Sequence, residues 1–202
     1  MVGKNYEKEL PTAYQQVYHI SATDKKVGII MNIVALAVAA VVVFLAYLPL
    51  WGENFFVLLL GAGRFGPIIW FLALLSYIVL HELVHGVAYK AMTREKLTFG
   101  MEWSCAFCGV PHVYTYRKTA LVALVSPLIF FSVVFLGLSL FASWWFPQYY
   151  MYCVLLFGAH LGGCCGDIYM THLLLFKYKS PKLLMRDTGP EQFLYLPKEE
   201  DL

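Results

Sequence analysis

The chain has 202 residues, of which 60% are hydrophobic and 14% are charged, and its net charge is +2. Soluble domains average about 45–50% apolar and about 25% charged residues, and a domain of this size cannot bury the surplus apolar surface. The composition excludes a disordered chain and a cytosolic enzyme, and the small net charge excludes a nucleic-acid binder, which needs a basic surface. An integral membrane protein remains.

Four segments are long and apolar enough to cross a bilayer, which requires about 20 apolar residues. The predicted spans cover residues 27–50, 67–89, 119–146 and 149–176. The run 55–60 is too short to cross, so we expect it to be interfacial or re-entrant. The predicted fold class is therefore an all-α integral membrane protein, a four-transmembrane-helix bundle with a short cytoplasmic β-hairpin-like loop.

Lys and Arg residues predict the orientation, because cytoplasmic loops are enriched in them. They concentrate in the N-terminal segment, the loop after the second span and the tail, whereas segment 51–66 carries only Arg64. We expect a cytoplasmic N-terminal segment (1–26), a membrane domain (27–176) and a cytoplasmic tail (177–202). We expect the chain to cross a plasma membrane several times, with both termini in the cytoplasm.

Two of the polar segments carry weaker patterns. The runs 97–103 and 110–116 are aromatic and β-branched and lie on either side of a turn, which predicts a β-hairpin. Its edge is a candidate for adding a substrate strand, and capping the membrane domain is the simpler alternative. The spacing of Tyr14, Val17 and Tyr18 favours an interfacial amphipathic helix.

Ionisable residues occur inside two of the predicted spans. Glu82 and Asp167 are the two acidic residues there, at a cost of at least ~2.5–3.5 kcal/mol each on insertion scales. Four of the six histidines share the same two spans, the second and the fourth. These are His81, His85, His160 and His172. Such residues are a functional-site hypothesis by default.

The second span contains the motif HExxH, as HELVH at 81–85. Residues at i and i+4 share one helix face, so His81 and His85 can bind one zinc ion. Glu82 is adjacent and can take a proton from the attacking water. Catalytic zinc usually has three protein ligands. Asp167 is the candidate third, because these residues lie at similar depths, roughly 7–15 Å from the cytoplasmic ends of their spans.

Further residues could support this site. His160 lies on the same helix face as Asp167 and is a candidate partner behind the ligands, with a hydrogen-bonded interior histidine as the alternative. His112, in the loop, is a candidate substrate contact or is incidental. Glycines spaced by four from Gly158 to Gly166 predict close packing, and we expect it to bring the fourth span against the second.

Two short motifs remain. The third span contains Ser126-Pro127, about 10 Å from its cytoplasmic end. This proline can kink the helix and open a polar path for water, and ordinary packing is the alternative. Cys105-x-x-Cys108 lies in the loop, where thiols stay reduced. No second pair outside the membrane completes a zinc site, so we interpret it as an ordinary loop pair.

At these residues the chain resembles the intramembrane zinc metalloproteases of the site-2 protease type, which carry HExxH on one span and a zinc-binding Asp on a later one. It is more closely similar to the Putative zincin peptidase family of small bacterial membrane proteins. The motifs that carry the resemblance are HELVHG at 81–86, Gly109-Val110-Pro111, Ser126-Pro127, Gly166-Asp167 and the segment 187–195. Site-2 proteases usually have Asn-Pro-Asp-Gly or Leu-Asp-Gly at the third ligand. Here the sequence is Cys-Gly-Asp-Ile, and the missing proline predicts an unbroken fourth helix.

The resemblance implies that His81, His85 and Asp167 are zinc ligands, that Glu82 is the general base and that the site faces the cytoplasm. It implies hydrolysis of a membrane protein or membrane-bound peptide, in or next to its membrane-embedded segment, within the lipid bilayer and without a nucleic-acid partner. A non-hydrolytic metal-binding or sensor protein with the same ligands is an alternative. A haem-binding bundle with axial histidines is another, although it explains neither Glu82 nor Asp167.

Overall fold

The computed structural model describes residues 5–50, 52–53, 55–103 and 105–198. Residues 1–4 of the predicted N-terminal segment and residues 199–202 of the predicted tail therefore lie outside the described residues. Within this part of the chain, four helical stretches are long and apolar enough to cross a membrane. They are Lys25–Leu50, Gly66–Thr93, Arg117–Trp145 and Pro147–Lys177. Many of their large apolar side chains are exposed, as in Ile33 (63%) and Val133 (69%). Such exposure is typical of a surface that contacts lipid.

Groups of strands and groups of helices follow one another along the described chain, in the order β1–β2–α1–α2–α3–β3–β4–β5–α4–α5–α6–β6–β7. The helices are α1 (Lys25–Tyr47), α2 (Phe55–Leu60), α3 (Gly66–Thr93), α4 (Arg117–Trp145), α5 (Tyr150–Gly163) and α6 (Cys165–His172). A π-helical turn, Leu173–Lys177, follows α6. The strands are β1 (Tyr6–Glu7), β2 (Tyr14–Ser21), β3 (Thr98–Met101), β4 (Ala106–Gly109), β5 (Tyr114–Tyr116), β6 (Leu184–Asp187) and β7 (Glu191–Pro197).

The prediction of an all-α bundle is wrong, because these strands build two antiparallel sheets. Five strands form one sheet in the order β1-β5-β6-β7-β2, and β3 pairs with β4 in the other. The larger sheet joins the N-terminal segment, the loop before α4 and the tail. Its pairs connect distant residues, such as Tyr14 opposite Pro197, so no local pattern announces them. The interfacial helix predicted around Tyr14 is also wrong, because β2 occupies that segment.

The predicted hairpin pairs the wrong strands. Thr98 lies opposite Gly109 and Met101 opposite Ala106, so β3 and β4 form the hairpin around a tight turn. The run 110–116 instead supplies β5, which lies between β1 and β6 in the larger sheet. The physical reason is that the chain reverses earlier than expected. The backbone N–H of Glu102 donates to the carbonyl oxygen of Cys105 at 2.8 Å, so the second strand of the hairpin begins at Ala106 and not at Val110.

The described residues form two compact units. The first contains Met1–Ile30, His81–Pro127 and Asp167–Leu202, and thus both sheets. Its larger core packs the sheet against the first turns of α4, against α6 and against the π-helical turn. The buried members are Ala120, Leu124, Met170, Leu173, Leu174, Leu183, Met185 and Leu194. A smaller cluster packs α3 against α4 and the loop, through Tyr89, Val110, Val113 and Ala123.

The second unit contains Met31–Leu80 and Leu128–Gly166. Within it, α5 packs against α1 at two glycines, because Gly158 faces Ala39 and Gly162 faces Ala35. A methyl group on Gly162 would collide with the carbonyl oxygen of Ala35, so the helices approach backbone to backbone. The expectation that this glycine strip packs against the second span is therefore wrong at these positions.

The fourth apolar stretch is broken, contrary to the expectation from its missing proline. α5 ends at Gly163, α6 begins at Cys165, and Cys164 between them has φ −76° and ψ 3°. Gly162 and Gly163 weaken the helix here, because glycine is a poor helix former. As a result Asp167 lies in the first turn of α6.

Candidate metal centre

The HExxH motif lies on the part of α3 that belongs to the first unit. His81 and His85 are one helical turn apart on one face, and each is 7% exposed. Their ring centroids are 4.9 Å apart and the rings are inclined at 76°. The rings are therefore close without stacking, so both can present a nitrogen to one point.

Asp167 completes this group in the same unit. Its Oδ2 atom lies 3.3 Å from Nε2 of His81 and 3.3 Å from Nε2 of His85. The Asp167 side chain is 17% exposed, and the ligand atoms of the three residues lie within 4.8 Å of one another. The structure thus brings together the three residues that the sequence singled out, from α3 and α6.

The donor set fits zinc in chemistry and in spacing. Two imidazole nitrogens and a carboxylate oxygen are common zinc ligands, and two ligands about 2.1 Å from a tetrahedral zinc lie about 3.4 Å apart. The observed separation from each imidazole nitrogen to the carboxylate is 3.3 Å.

The orientation of His85 is fixed from behind. Its Nδ1 lies 2.9 Å from the backbone carbonyl oxygen of Ala123 on α4. A carbonyl oxygen only accepts hydrogen bonds, so Nδ1 carries a proton, and Nε2 is the ring nitrogen left for a metal ion. Metal-binding histidines usually hold their second ring nitrogen in this way.

Glu82 is half-buried beside the histidines, and its carboxylate accepts a hydrogen bond from the backbone N–H of Cys108. The strand β4 therefore lies next to the proposed base. Burial raises the pKa of the Cys108 thiol to about 12, so this side chain stays protonated at neutral pH. Within the described residues, neither Cys105 nor Cys108 belongs to a group that could hold a metal ion.

A buried pair below the site was missed by sequence reasoning. The Tyr89 hydroxyl donates to Oδ2 of Asp187 at 2.7 Å, and the Gly189 N–H donates to Oδ1 at 2.9 Å. The carbonyl oxygen of Asp187 also accepts from the Val110 N–H, just after β4. This residue therefore ties the tail to α3 and to β4. The Asp-x-Gly turn at 187–189 was the available signal.

The remaining candidates are placed elsewhere. His160 belongs to the second unit and is fully buried, with Nδ1 3.0 Å from the Tyr77 hydroxyl and Nε2 3.1 Å from the Ser132 hydroxyl. It has the environment of a hydrogen-bonded interior histidine. His112 is exposed in the turn between β4 and β5, and no hydrogen bond or ion pair joins it to the described residues.

Comparison of the sequence with models of protein families found a match. The family model described as Putative zincin peptidase matches residues 74–181, which is more than half of the chain. The chain belongs to the Putative zincin peptidase family. The match includes HExxH and Asp167, and membership supports a metallopeptidase and implies zinc. Comparison with curated proteins found no match, and neither did comparison with solved structures.

Proposed function

We propose that this protein is an intramembrane zinc metallopeptidase that hydrolyses a peptide bond in, or next to, a membrane-embedded segment of another protein. The observation that carries the proposal is the convergence of His81, His85 and Asp167 on one point beside Glu82. All four residues belong to helical stretches that are apolar enough to lie in a bilayer. Family membership supports the same reaction class.

His81, His85 and Asp167 would hold the zinc ion. When bound there, zinc supplies Lewis acidity that polarises the scissile carbonyl and favours deprotonation of water. Glu82 takes a proton from the attacking water while the water oxygen bonds to the carbonyl carbon. The same carboxyl group then gives that proton to the amide nitrogen as the C–N bond breaks. The Cys108 N–H orients the Glu82 carboxylate for both steps.

Strand β4 offers a way to hold an unwound substrate. Among the described residues it pairs only with β3 in its sheet, and the N–H of Cys108 points from β4 to Glu82. An extended peptide that adds to the second edge of β4 would therefore run past the base. Main-chain hydrogen bonding of this kind holds many peptide ligands.

Metal content and cleavage together test the proposal. We would purify the wild type, Asp167→Ala and Glu82→Gln in detergent, with Glu102→Gln as a control at an exposed acid on the hairpin turn. We expect one zinc ion per chain in the wild type, Glu82→Gln and Glu102→Gln, and weakened binding in Asp167→Ala. Each protein is then placed in liposomes with a library of quenched fluorescent single-span peptides. Only the wild type and Glu102→Gln should cleave.

Two results would contradict the proposal in different ways. A folded wild type without zinc, in a zinc-containing buffer, refutes the metal site. A wild type that holds zinc but cleaves no faster than Glu82→Gln refutes hydrolysis and favours the metal-binding or sensor alternative.

A further inference from the structure

Helix α4 contains a proline in its interior, Pro127, and one backbone carbonyl loses its usual partner as a result. In an α-helix the N–H of residue i donates to the carbonyl oxygen of residue i−4. Proline has no N–H, and its ring pushes against that carbonyl. For Pro127 the residue four positions earlier is Ala123, so the Ala123 carbonyl is released from the helix.

The released carbonyl is the group that accepts the proton of His85 Nδ1, at 2.9 Å. Ala123 is fully buried and His85 is 7% exposed, so water is a poor alternative partner for either. A buried carbonyl without a hydrogen-bond partner costs free energy, and so does a buried imidazole N–H. The hydrogen bond between them therefore pairs both groups: the carbonyl that Pro127 releases and the ring N–H of His85.

This contact decides which nitrogen of His85 faces the metal ligands. With Nδ1 held by the carbonyl, Nε2 is the nitrogen that faces the other ligands, and it lies 3.3 Å from Oδ2 of Asp167. Without the carbonyl, the ring could rotate and turn Nε2 away from Asp167 and His81. Loss of such a supporting partner typically weakens metal binding by about 10–100-fold.

We propose that Pro127 is a positioning residue of the metal centre, which frees the Ala123 carbonyl to fix the orientation of the His85 ring. The inference rests on the zinc ligands of the proposed function and not on hydrolysis. The neighbouring Ser126 does not share this role, because its hydroxyl donates to the carbonyl oxygen of Val122 at 2.5 Å. Ser126 therefore provides a matched control on the same helical turn.

The test measures zinc affinity and apo-protein stability on the same detergent-purified full-length chains. The variants are Pro127→Ala and Pro127→Gly, both of which restore an N–H at position 127, and Ser126→Ala as the control. Zinc affinity comes from competition with a chelator, and stability from the melting temperature of the metal-free protein. We expect both Pro127 variants to bind zinc about 10–100-fold more weakly than the wild type. Ser126→Ala should match the wild type.

The two readouts separate positioning from a merely structural role. Pro127→Ala should raise the melting temperature of the metal-free protein, because alanine favours a helix far more than proline does. Pro127→Gly should raise it less, yet weaken zinc binding equally. A structural role alone would make zinc affinity follow stability, with a gain in Pro127→Ala.

Failure of this inference is distinct from failure of the proposed function. If the wild type binds zinc and both Pro127 variants bind it within twofold of the wild type, the carbonyl serves the helix and the histidine together, and the inference is wrong. If the wild type binds zinc but shows no Glu82-dependent cleavage, only the peptidase proposal fails. A wild type that binds no zinc refutes both.

Discussion

Asp187 is almost completely buried, with 3% of its surface exposed, although it carries a carboxyl group. Burial raises its pKa from 3.8 to about 6, and the hydrogen bonds from Tyr89 and Gly189 oppose this shift only in part. The folded protein therefore binds a proton here more tightly than the unfolded chain does. Stability from the neutral form is complete below about pH 4 and is lost as the pH rises through about 6.

This sign can be tested with Asp187→Asn, whose side chain does not titrate. Between pH 4 and pH 7 the wild type should lose stability relative to the variant, on the order of 3 kcal/mol for a shift of this size. Thermal unfolding in detergent at several pH values gives the comparison. If the difference in melting temperature between the two proteins stays constant over this pH range, burial of Asp187 has no such effect.

Tyr89 should matter to stability because of one hydroxyl group. Tyr89→Phe removes the donor to Asp187 and leaves a buried carboxyl oxygen without that partner, which costs about 1–3 kcal/mol. Tyr6→Phe is the matched control, since its hydroxyl donates to Glu95 in a less buried place. The melting temperature should fall clearly more for Tyr89→Phe, and an equal fall in both would contradict the importance of the buried pair.

At this scale the sequence was informative where chemistry contrasts with its surroundings. Glu82, Asp167 and the histidines are conspicuous because ionisable residues are rare in apolar runs. The hydrogen bond of His85 to the Ala123 carbonyl could not be predicted, because Pro127 indicates a released carbonyl but not the group that it contacts. Asp187 lies in a polar tail, where an acid is unremarkable, and only the fold buries it.

At the scale of elements, the four apolar helices were predicted, the five-stranded sheet was not, and the hairpin was predicted with the wrong second strand. A span is a local property, since about 20 consecutive apolar residues define it. The strands are short, and their partners lie far away in the chain, as with β2 and β7. The hairpin shows the same limit, because the sequence indicated extended chain but did not specify the register.

Packing of α1 against α5 yields an element-scale prediction. Gly162→Ala places a methyl group into the Ala35 carbonyl oxygen and should lower the melting temperature and the yield of folded protein. Gly137→Ala in α4 is the control, because no described atom lies within 4 Å of its Cβ position. Alanine should stabilise that helix by about 0.5–1 kcal/mol. Effects of the same sign in both variants would mean that the close approach of α1 to α5 is not needed.

At the scale of the whole molecule, the five-stranded sheet restricts topology. Its strands come from the N-terminal segment, the loop before α4 and the tail, so these three polar segments share one side of any membrane that the helices cross. Lys and Arg enrichment in the same segments predicts that this side is the cytoplasm. The positions of Lys and Arg and the pairing of the strands are independent observations, and both place these three segments on the same side.

Labelling can test the side. Single cysteines replace Gln15, His112 or Arg64, in a background without other reactive cysteines. An impermeant maleimide should label Gln15→Cys and His112→Cys only in inverted vesicles, and Arg64→Cys only in right-side-out vesicles. Labelling of Gln15→Cys and His112→Cys on opposite sides would contradict the sheet, and a complete reversal of all three would contradict the charge rule alone.

Pairing of β2 with β7 also determines when the larger sheet can form during translation. The ribosome makes β2 first, but its partner residues extend to Pro197, which emerges after all four apolar helices. Pairing over such a separation is slow compared with helix formation. The four apolar helices are therefore synthesised while β2 is still unpaired, and the larger sheet closes only after β7 has been made.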